Sequence, residues 1–471
     1  MREAELIEEV GRSQSPAGDS GEADRRFRFT HKIVQEVVYH NLLVTRRVEL
    51  HGRAGAALET LCGADPERLE DVEAMAHHFS LSDDRAKGLR YMVEAGDRAR
   101  RVFANDDAAR HYRRALETVE TGNMAGPERL AVLERLADLL GPMGHRDEAL
   151  GHYETVLGAL AEANDPAGQA RLHRKIATLH WEAGARSQSL ARIEAGLALL
   201  EGRADEIELA HLYHEMGRLA FRGGDNEGAT EWARRALDYA EPLLARANGG
   251  DGPSAHDAAA VIAEAYNTLG VAEARLERPE DAIAHVEKGL DVAQAHGLFQ
   301  TACCGYTNLS VLYSNLDPGR AIETCRRGLA VAQKIGDLGF QSRLYANLGV
   351  SYCTFTGRCE GEGVDAVRTA IDLDRELGLV DHLPVSLVVL GQIYQCHGQP
   401  QIAIDLYNEA LELAEELDEP QVLFPCYDGL ATVHLDIDDM AEAERYMEKA
   451  QAVCERAGLD PDALVMLPFL C

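Results

Sequence analysis

No window of this sequence approaches 18 uncharged apolar residues, and its N-terminus is acidic, so the chain supports neither a membrane span nor a secretion signal. Positive charge is also scarce: 47 lysines and arginines stand against 79 aspartates and glutamates, a formal net charge of -32 at pH 7. Such a chain repels nucleic acid unless a basic stripe is segregated somewhere. None is, because Arg25, Arg26, Arg28, Lys32, Arg46, Arg47 and Arg53, the most basic stretch, are interrupted by acidic and apolar residues. The ten cysteines show no dense framework of the kind that braces a small secreted domain, which points to reduced thiols in a cytoplasmic protein. A phosphate-binding GxxxxGKS/T loop is missing, and the glycine cluster from Gly357 to Gly363 has neither a following lysine nor a preceding strand. We therefore assign no catalytic, cofactor-binding or metal-binding residues from the sequence.

What the chain has instead is repetition. At 471 residues it exceeds the size at which one globular core keeps growing, so several domains or an elongated repeat is expected. A unit recurs in which an aromatic or apolar residue is followed by Leu and a small residue, then by a small residue about twelve further on. The clearest copies are Tyr213, Met216, Gly217, Ala229, Ala233, Ala236; Tyr266, Leu269, Gly270, Ala282, Val286, Gly289; Leu387, Leu390, Gly391, Ala403, Tyr407, Ala410; and Tyr427, Leu430, Ala431, Ala443, Met447, Ala450. Each set falls on one face of two consecutive helices. Weaker copies carry small anchors at Gly96, Ala137, Ala177, Ser310 and Gly349. Glycine inside a helix costs about 0.5 to 1 kcal/mol relative to alanine, so its recurrence implies close helix approach. Gly223-Gly224-Asp225, Arg278-Pro279-Glu280 and Gly398-Gln399-Pro400 supply the turns, glycine ending one helix and proline starting the next.

These residues resemble the tetratricopeptide repeat over about residues 88 to 457, with a spacing near 40 instead of the 34 typical of that repeat. The resemblance implies an all-α, tetratricopeptide-like alpha-alpha superhelical solenoid. Its units predict a first arm over 88–244, a flexible loop over 245–257, a second arm over 258–457 and a C-terminal tail over 458–471. The loop, ARANGGDGPSAHD, stretches the anchor spacing between Gly217 and Gly270. A second irregularity, TGRCEGEG at 356–363, weakens the match of the following helix at Gly363, Val367 and Ala370.

Residues 1–45 read differently. MREAELIEEV suggests a short helix, GRSQSPAGDSGEAD a flexible loop, and RRFRFTH a strand leading into a helix over about Lys32 to Val44. The run FRFTHKIVQEVVYHNLL, carrying Phe27, Phe29, His31, Val34, Gln35, Glu36, Val38, Tyr39 and Leu42, resembles a junction in large bacterial multidomain signalling ATPases, as do His77, His78 and Phe79 in MAHHF. That resemblance covers roughly residues 22 to 100. It implies a winged-helix remnant over 1–45, a helical linker or capping region over 46–87, and a chain that is the C-terminal arm of a longer protein or a truncated gene model of one. An ATPase or cyclase domain of the parent is then an expected partner.

Within such repeats the inner surface is the natural binding face. Residues just after the aromatic and small anchors predict a concave surface of His214, Arg218 and Phe221; Asn267 and Val271, with Ala274; Thr307, Val311 and Ser314; and Val388, Gln392 and Gln395. Its mixture of amides, hydroxyls and apolar groups suits a protein or peptide segment and lacks the basic clamp that grips a terminal carboxylate. The expected function is a protein- or peptide-binding regulatory or sensor arm without catalysis. The alternative is a small-molecule-responsive sensor domain of a transcription regulator.

Other chemistry-bearing residues carry plainer readings. His77 and His78 point about 100° apart on a helix and cannot share a metal without a third ligand brought by folding. His173 and His180 read as inter-helix packing, Cys303 and Cys304 as buried thiols, and Cys353 and Cys359 as thiols that could pair under oxidation. Glu415-Glu416 and Asp438-Asp439 read as solvated acidic surface, while Asn308 and Asn347 could bind a ligand backbone or a neighbouring helix.

Overall fold

The structure, a computed structural model, describes residues 7–13, 24–66, 68–102, 104–122, 126–141, 143–183, 185–203, 207–246, 253–314, 316–355, 359–380 and 382–466. It divides into two compact units, Met1–Val156 and Leu157–Cys471.

The first unit opens with an antiparallel ribbon of β1 (Ile7–Ser13) and β2 (Asp24–Phe29), with Ile7 opposite Phe29 and an irregularity between Glu9 and Gly11. Over Ile7–Val10 this corrects the expected N-terminal helix, whose residues 1–6 lie outside the described residues. A ten-residue helix is marginal in water, whereas pairing with β2 satisfies backbone groups of β1. Of the expected flexible loop, residues 11–13 belong to β1 and 14–23 lie outside the described residues. Six helices follow: α1 (Lys32–Asn41), α2 (Val44–Cys62), α3 (Leu69–Ser80), α4 (Arg85–Arg101), α5 (Asn105–Gly122) and α6 (Gly126–Leu140). Then α7 (Arg146–Glu162) runs across the division. Here the anchor Gly96 works as its spacing predicts: a Cβ on it would lie 2.5 Å from the ring of fully buried Tyr112. The Tyr112 hydroxyl donates to Asp97 at 2.6 Å.

The second unit is a row of αα-hairpins. Its first helices are α8 (Pro166–Glu182), α10 (Ile207–Arg222), α12 (Pro253–Arg275), α14 (Phe299–Ser314), α16 (Leu338–Phe355), α18 (Leu383–Cys396) and α20 (Pro420–Asp436). Their partners are α9 (Arg186–Leu200), α11 (Asn226–Arg246), α13 (Pro279–Ala295), α15 (Pro318–Ile335), α17 (Val364–Leu377), α19 (Pro400–Leu417) and α21 (Met440–Ala457), with α22 (Pro461–Met466) last. Every helix pair holds one of the small anchors read from the sequence. Pro279 and Pro400 begin α13 and α19, and Asp165 caps α8 by accepting from the backbone N–H of Gly168 at 2.9 Å.

Small residues pay off in packing. Tyr407 is fully buried, and its ring lies 2.7 Å from where a Cβ on Gly391 would stand and 2.6 Å from one on Gly429. Two helices thus close over one aromatic ring whose burial contributes about 1.5–3 kcal/mol. At Gly270 an added Cβ would meet both the Val286 side chain and the carbonyl oxygen of Ala282, the latter at 2.7 Å.

In both irregular stretches the described residues are helical, residues 356–358 of the second lying outside them. The expected loop over 245–257 is shortened from both sides, since α11 continues through Arg246 and α12 starts at Pro253; residues 247–252 lie outside the described residues. In the 356–363 stretch, Cys359–Gly363 forms a π-helical turn leading directly into α17. The match beyond it is sound: Val367 and Ala370 are fully buried, and Val367 fills the space left by Gly349. The expected tail is partly helical as α22, and Asp460 just before it pairs with Arg275 at 2.6 Å.

Candidate functional site

A recess formed by this packing is a cavity of about 530 Å³ within the second unit. Its wall is drawn from five consecutive first helices: Arg174 on α8; His211, His214, Glu215, Arg218, Phe221 and Arg222 on α10; Glu264, Asn267, Thr268 and Val271 on α12; Thr301 and Cys304 on α14; and Phe340 on α16. Because the second helices lie behind, successive inner faces meet around one space.

Charge in the cavity is arranged in advance. Arg174 clamps Glu208 with Nε and Nη2 at 2.5 and 3.2 Å, and Arg218 clamps Glu215 in the same two-pronged way at 3.0 and 2.5 Å. Burial works against the ionised form of Glu215, but Arg218 and its neighbours outweigh it and hold the carboxyl below its usual range. The histidines behave oppositely. Burial, with Arg174 close by, pushes the His211 imidazole down to about 3, and burial also lowers His214. His214 Nε2 lies 3.2 Å from the Thr268 hydroxyl and Nδ1 3.5 Å from Glu264. At neutral pH the wall therefore presents neutral imidazoles, fixed guanidinium–carboxylate pairs and apolar patches.

Of the predicted concave surface, His214, Arg218, Phe221, Asn267 and Val271 line this cavity, and Val311 packs beneath it against the Phe221–Val271 cluster. The remaining six lie elsewhere, and of these Ala274 is partly buried against the core around Tyr306. Thr307 is fully buried and donates to the carbonyl of Cys303 at 2.9 Å, while Ser314 is buried and donates to that of Val311. Val388 belongs to the core around Tyr407. Gln392 is exposed, and Gln395 donates to Asp436 at 2.6 Å and accepts from the Tyr407 hydroxyl at 2.8 Å. Thr307 and Val388 are corrections: adjoining first helices approach closely enough there to seal these positions.

Arg174 was missed although its position carries the signal. It follows His173 as His214 follows Tyr213 and Asn267 follows Tyr266, so the same rule applied one repeat earlier selects it. Arg222 and Cys304 lie outside that rule.

The asparagines bond to neighbouring helices. Asn308 donates to Asn267 at 3.0 Å, and Asn347 donates to the Ser310 hydroxyl at 3.1 Å and the Thr307 carbonyl at 3.3 Å. Asn267 in turn donates to Cys304 Sγ at 3.2 Å, which places one thiol of the Cys303-Cys304 pair in the cavity wall while Cys303 is buried. His173 and His180 are half-buried on α8, and Glu415 and Glu416 are exposed. Cys353 and Cys359 are free thiols; burial, with neighbouring Cys396 and Cys359, pushes Cys353 up to about 12, and Cys359 Sγ lies 2.7 Å from His397 Nε2.

Unforeseen in the sequence is a sealed polar cluster at Ser342, Asp374, His382 and Ser386. Asp374 accepts from His382 Nδ1 at 2.9 and 3.0 Å, from Ser386 at 2.7 Å and from Ser342. Burial alone would raise its pKa, and these hydrogen bonds overcome that and lower it. Though serine, histidine and aspartate meet here, Ser342 and Asp374 contact the same ring nitrogen, so the relay geometry of a hydrolytic triad is absent. All four residues are shut from solvent.

The sequence matches no protein-family model and no curated protein. Solved structures do resemble the fold. A signal transduction ATPase with numerous domains, a protein with a tetratricopeptide repeat sensor from Pyrococcus horikoshii, is similar over 92% of this chain and 67% of its own, at 12% identity and a TM-score of 0.50. A Rap protein complexed with competence and sporulation factor is similar over 79% of this chain and 99% of its own, at 13% identity and a TM-score of 0.49. The quorum sensor NprR from B. thuringiensis covers 73% of this chain and 91% of its own, at 15% identity and a TM-score of 0.49. The first of these likenesses shows a tetratricopeptide-like all-helical fold. Among the described residues no helix is long and apolar enough to cross a membrane.

Proposed function

We propose that the second unit is a regulatory scaffold that binds a protein or peptide segment in the cavity between its first helices, and that the chain does not itself catalyse a reaction. One observation carries this: five consecutive first helices contribute oriented ion pairs, amide and hydroxyl groups and aromatic surface to a single recess. A short segment placed there meets donors and acceptors already held in position, which lowers the ordering cost of binding. Arg174, Arg218 and Arg222 are balanced by Glu208, Glu215 and Glu264, so the wall favours a mixed polar segment over one of a single charge sign.

The finer reading is that this scaffold is the sensor arm of a cytoplasmic signal-transduction ATPase or cyclase. It is supported by the FRFTHKIVQEVVYHNLL and MAHHF motifs and by the likeness in fold to a protein described as a signal transduction ATPase with a tetratricopeptide repeat sensor. An in-frame phosphate-binding loop or cyclase domain upstream of Met1 supports that reading; a gene with neither removes it. The alternative, a small-molecule sensor of a transcription regulator, is favoured by the cavity volume, which lies in the range of roughly 300–1,000 Å³ typical of metabolite pockets.

Panning a random peptide library against the full chain, with a thermal-shift panel of metabolites in parallel, separates the readings. Peptides whose affinity drops at least about tenfold with Arg218→Ala support the first. Stabilisation only by a metabolite supports the second. Binders indifferent to changes in the cavity wall overturn both.

A further inference from the structure

Away from the cavity, in the first unit, folding brings to His77 and His78 the third histidine that their sequence spacing lacks. His51, on α2, meets them on α3, and one ring nitrogen from each of the three lies within 4.8 Å of the others. Ring centres are 5.6 Å apart for His51 and His77, 5.1 Å for His51 and His78, and 5.3 Å for His77 and His78. A tetrahedral ion holding three imidazoles at zinc–nitrogen distances near 2.0–2.1 Å sets their ring centres roughly 5 Å apart. We propose that His51, His77 and His78 form a binding site for a divalent transition-metal ion of the zinc class, with Tyr39 as its supporting residue.

Three features argue for a ligand set over ordinary packing. Several buried or half-buried histidines elsewhere in the chain are paired with carboxylates, as His111 with Glu73 at 2.9 Å, His285 with Glu273 at 2.6 Å and His382 with Asp374 at 2.9 Å. Among the described residues these three have no such partner and face one another.

The nitrogens are also aimed correctly. Nδ1 of His51 and Nδ1 of His78 are 2.9 Å apart, so in the metal-free protein one of them must carry the proton shared between them. His51 Nε2 is 2.9 Å from the Tyr39 hydroxyl. If that nitrogen holds the proton and donates it to the tyrosine oxygen, Nδ1 of His51 keeps its lone pair for a metal. This is the outer hydrogen bond that fixes the tautomer of a ligating histidine.

Access and protonation fit as well. His51 is buried, His78 is half-buried and His77 is exposed, so an ion can enter from solvent and keep a water in its fourth position. Burial lowers the pKa of all three rings, and a proton on one further disfavours a proton on another, as His77 does to both His51 and His78. These shifts favour the neutral form, the one that binds metal. Arg47, over the Tyr39 ring at 5.2 Å, and Arg114 oppose a cation and weaken its binding.

The full chain, stripped with chelator and titrated with Zn²⁺ by calorimetry and with Co²⁺ by visible absorption, tests this. One equivalent of Co²⁺ with the intense band of a tetrahedral nitrogen-ligated ion is expected, accompanied by a Zn²⁺-dependent rise in melting temperature. His78→Gln should weaken binding at least about a hundredfold, and Tyr39→Phe about 10–100-fold as a lost outer-shell contact. His77→Gln, at an exposed position that folding does not depend on, should also abolish the band. Cys359→Ser, which breaks the separate Cys359–His397 contact, should leave it unchanged. Co²⁺ binding that persists undiminished in His77→Gln and His78→Gln, or follows Cys359, overturns the proposal, as does the absence of a tetrahedral band in the wild-type chain.

Discussion

The cavity wall on α8, α10 and α12 and the sealed cluster between α16, α17 and α18 are built from the same repeat, yet they place polar groups in opposite situations. In the cavity, Arg174, held from behind by Glu208, and the Arg218–Glu215 pair face a space that a ligand can occupy. In the cluster, Asp374 is surrounded by three donors with no route to solvent. A carboxylate is equally well partnered in both. The difference lies in what the partnership serves: in the cluster it holds adjacent helices together, whereas in the cavity it holds charges ready for something else.

Removing the sealed carboxylate should have the largest effect. Asp374→Ala leaves His382 and two serines without their acceptor in the core, and we expect a loss of about 3–5 kcal/mol, read from urea denaturation midpoints. Since folding depresses the Asp374 pKa, its contribution is fully present above the unfolded value near 3.8 and is lost as pH falls through the lower folded value. A cost below about 1 kcal/mol would erase the contrast between the two regions.

The cavity should respond the other way. Replacing the Arg174–Glu208 pair together, as Arg174→Met with Glu208→Leu, removes both charges and leaves neither unpaired, so stability should change by no more than about 1 kcal/mol. Binding of the selected peptides should nevertheless weaken at least about tenfold by fluorescence polarisation. Stability loss comparable to that of Asp374→Ala would make this pair structural.

A third effect is smaller and depends on pH. His211 has a folded pKa of about 3 against an ordinary value near 6.5, so between those values the unfolded chain binds more protons than the folded one. Stability should therefore fall as pH drops from 7 to 5, and His211→Gln should flatten that slope in denaturation midpoints measured at both pH values. An unchanged slope would mean that His211 does not carry it. The smallest effect belongs to Asp460→Asn. Its partner Arg275 is well covered but Asp460 is 59% exposed, so we expect at most a few tenths of a kcal/mol, visible as faster hydrogen exchange in α22.

The repeat was readable because its requirement is local and steric. Gly270 and Gly391 recur where a Cβ would strike a backbone carbonyl or an aromatic ring, and that constraint repeats with the helix period. Spacing also selected part of the cavity, from His214 to Val271, and would have selected Arg174 had the rule been carried to the preceding unit. It misjudged Thr307 and Val388, since which side of a first helix stays open depends on how tightly the next hairpin closes. Nothing in the local pattern distinguishes Ser342, Asp374, His382 and Ser386 from surface residues.

By itself the order of amino acids determined that paired helices would stack through small contacts, because side-chain volume at a fixed helical period acts between near neighbours. Only the tertiary structure decided which polar groups would meet: Arg174 with Glu208, Asp374 with His382, and His51 with His77 and His78. Those encounters join positions 34, 8, 26 and 27 residues apart, and the angle and separation between packed helices, which no short stretch encodes, bring their atoms within bonding distance.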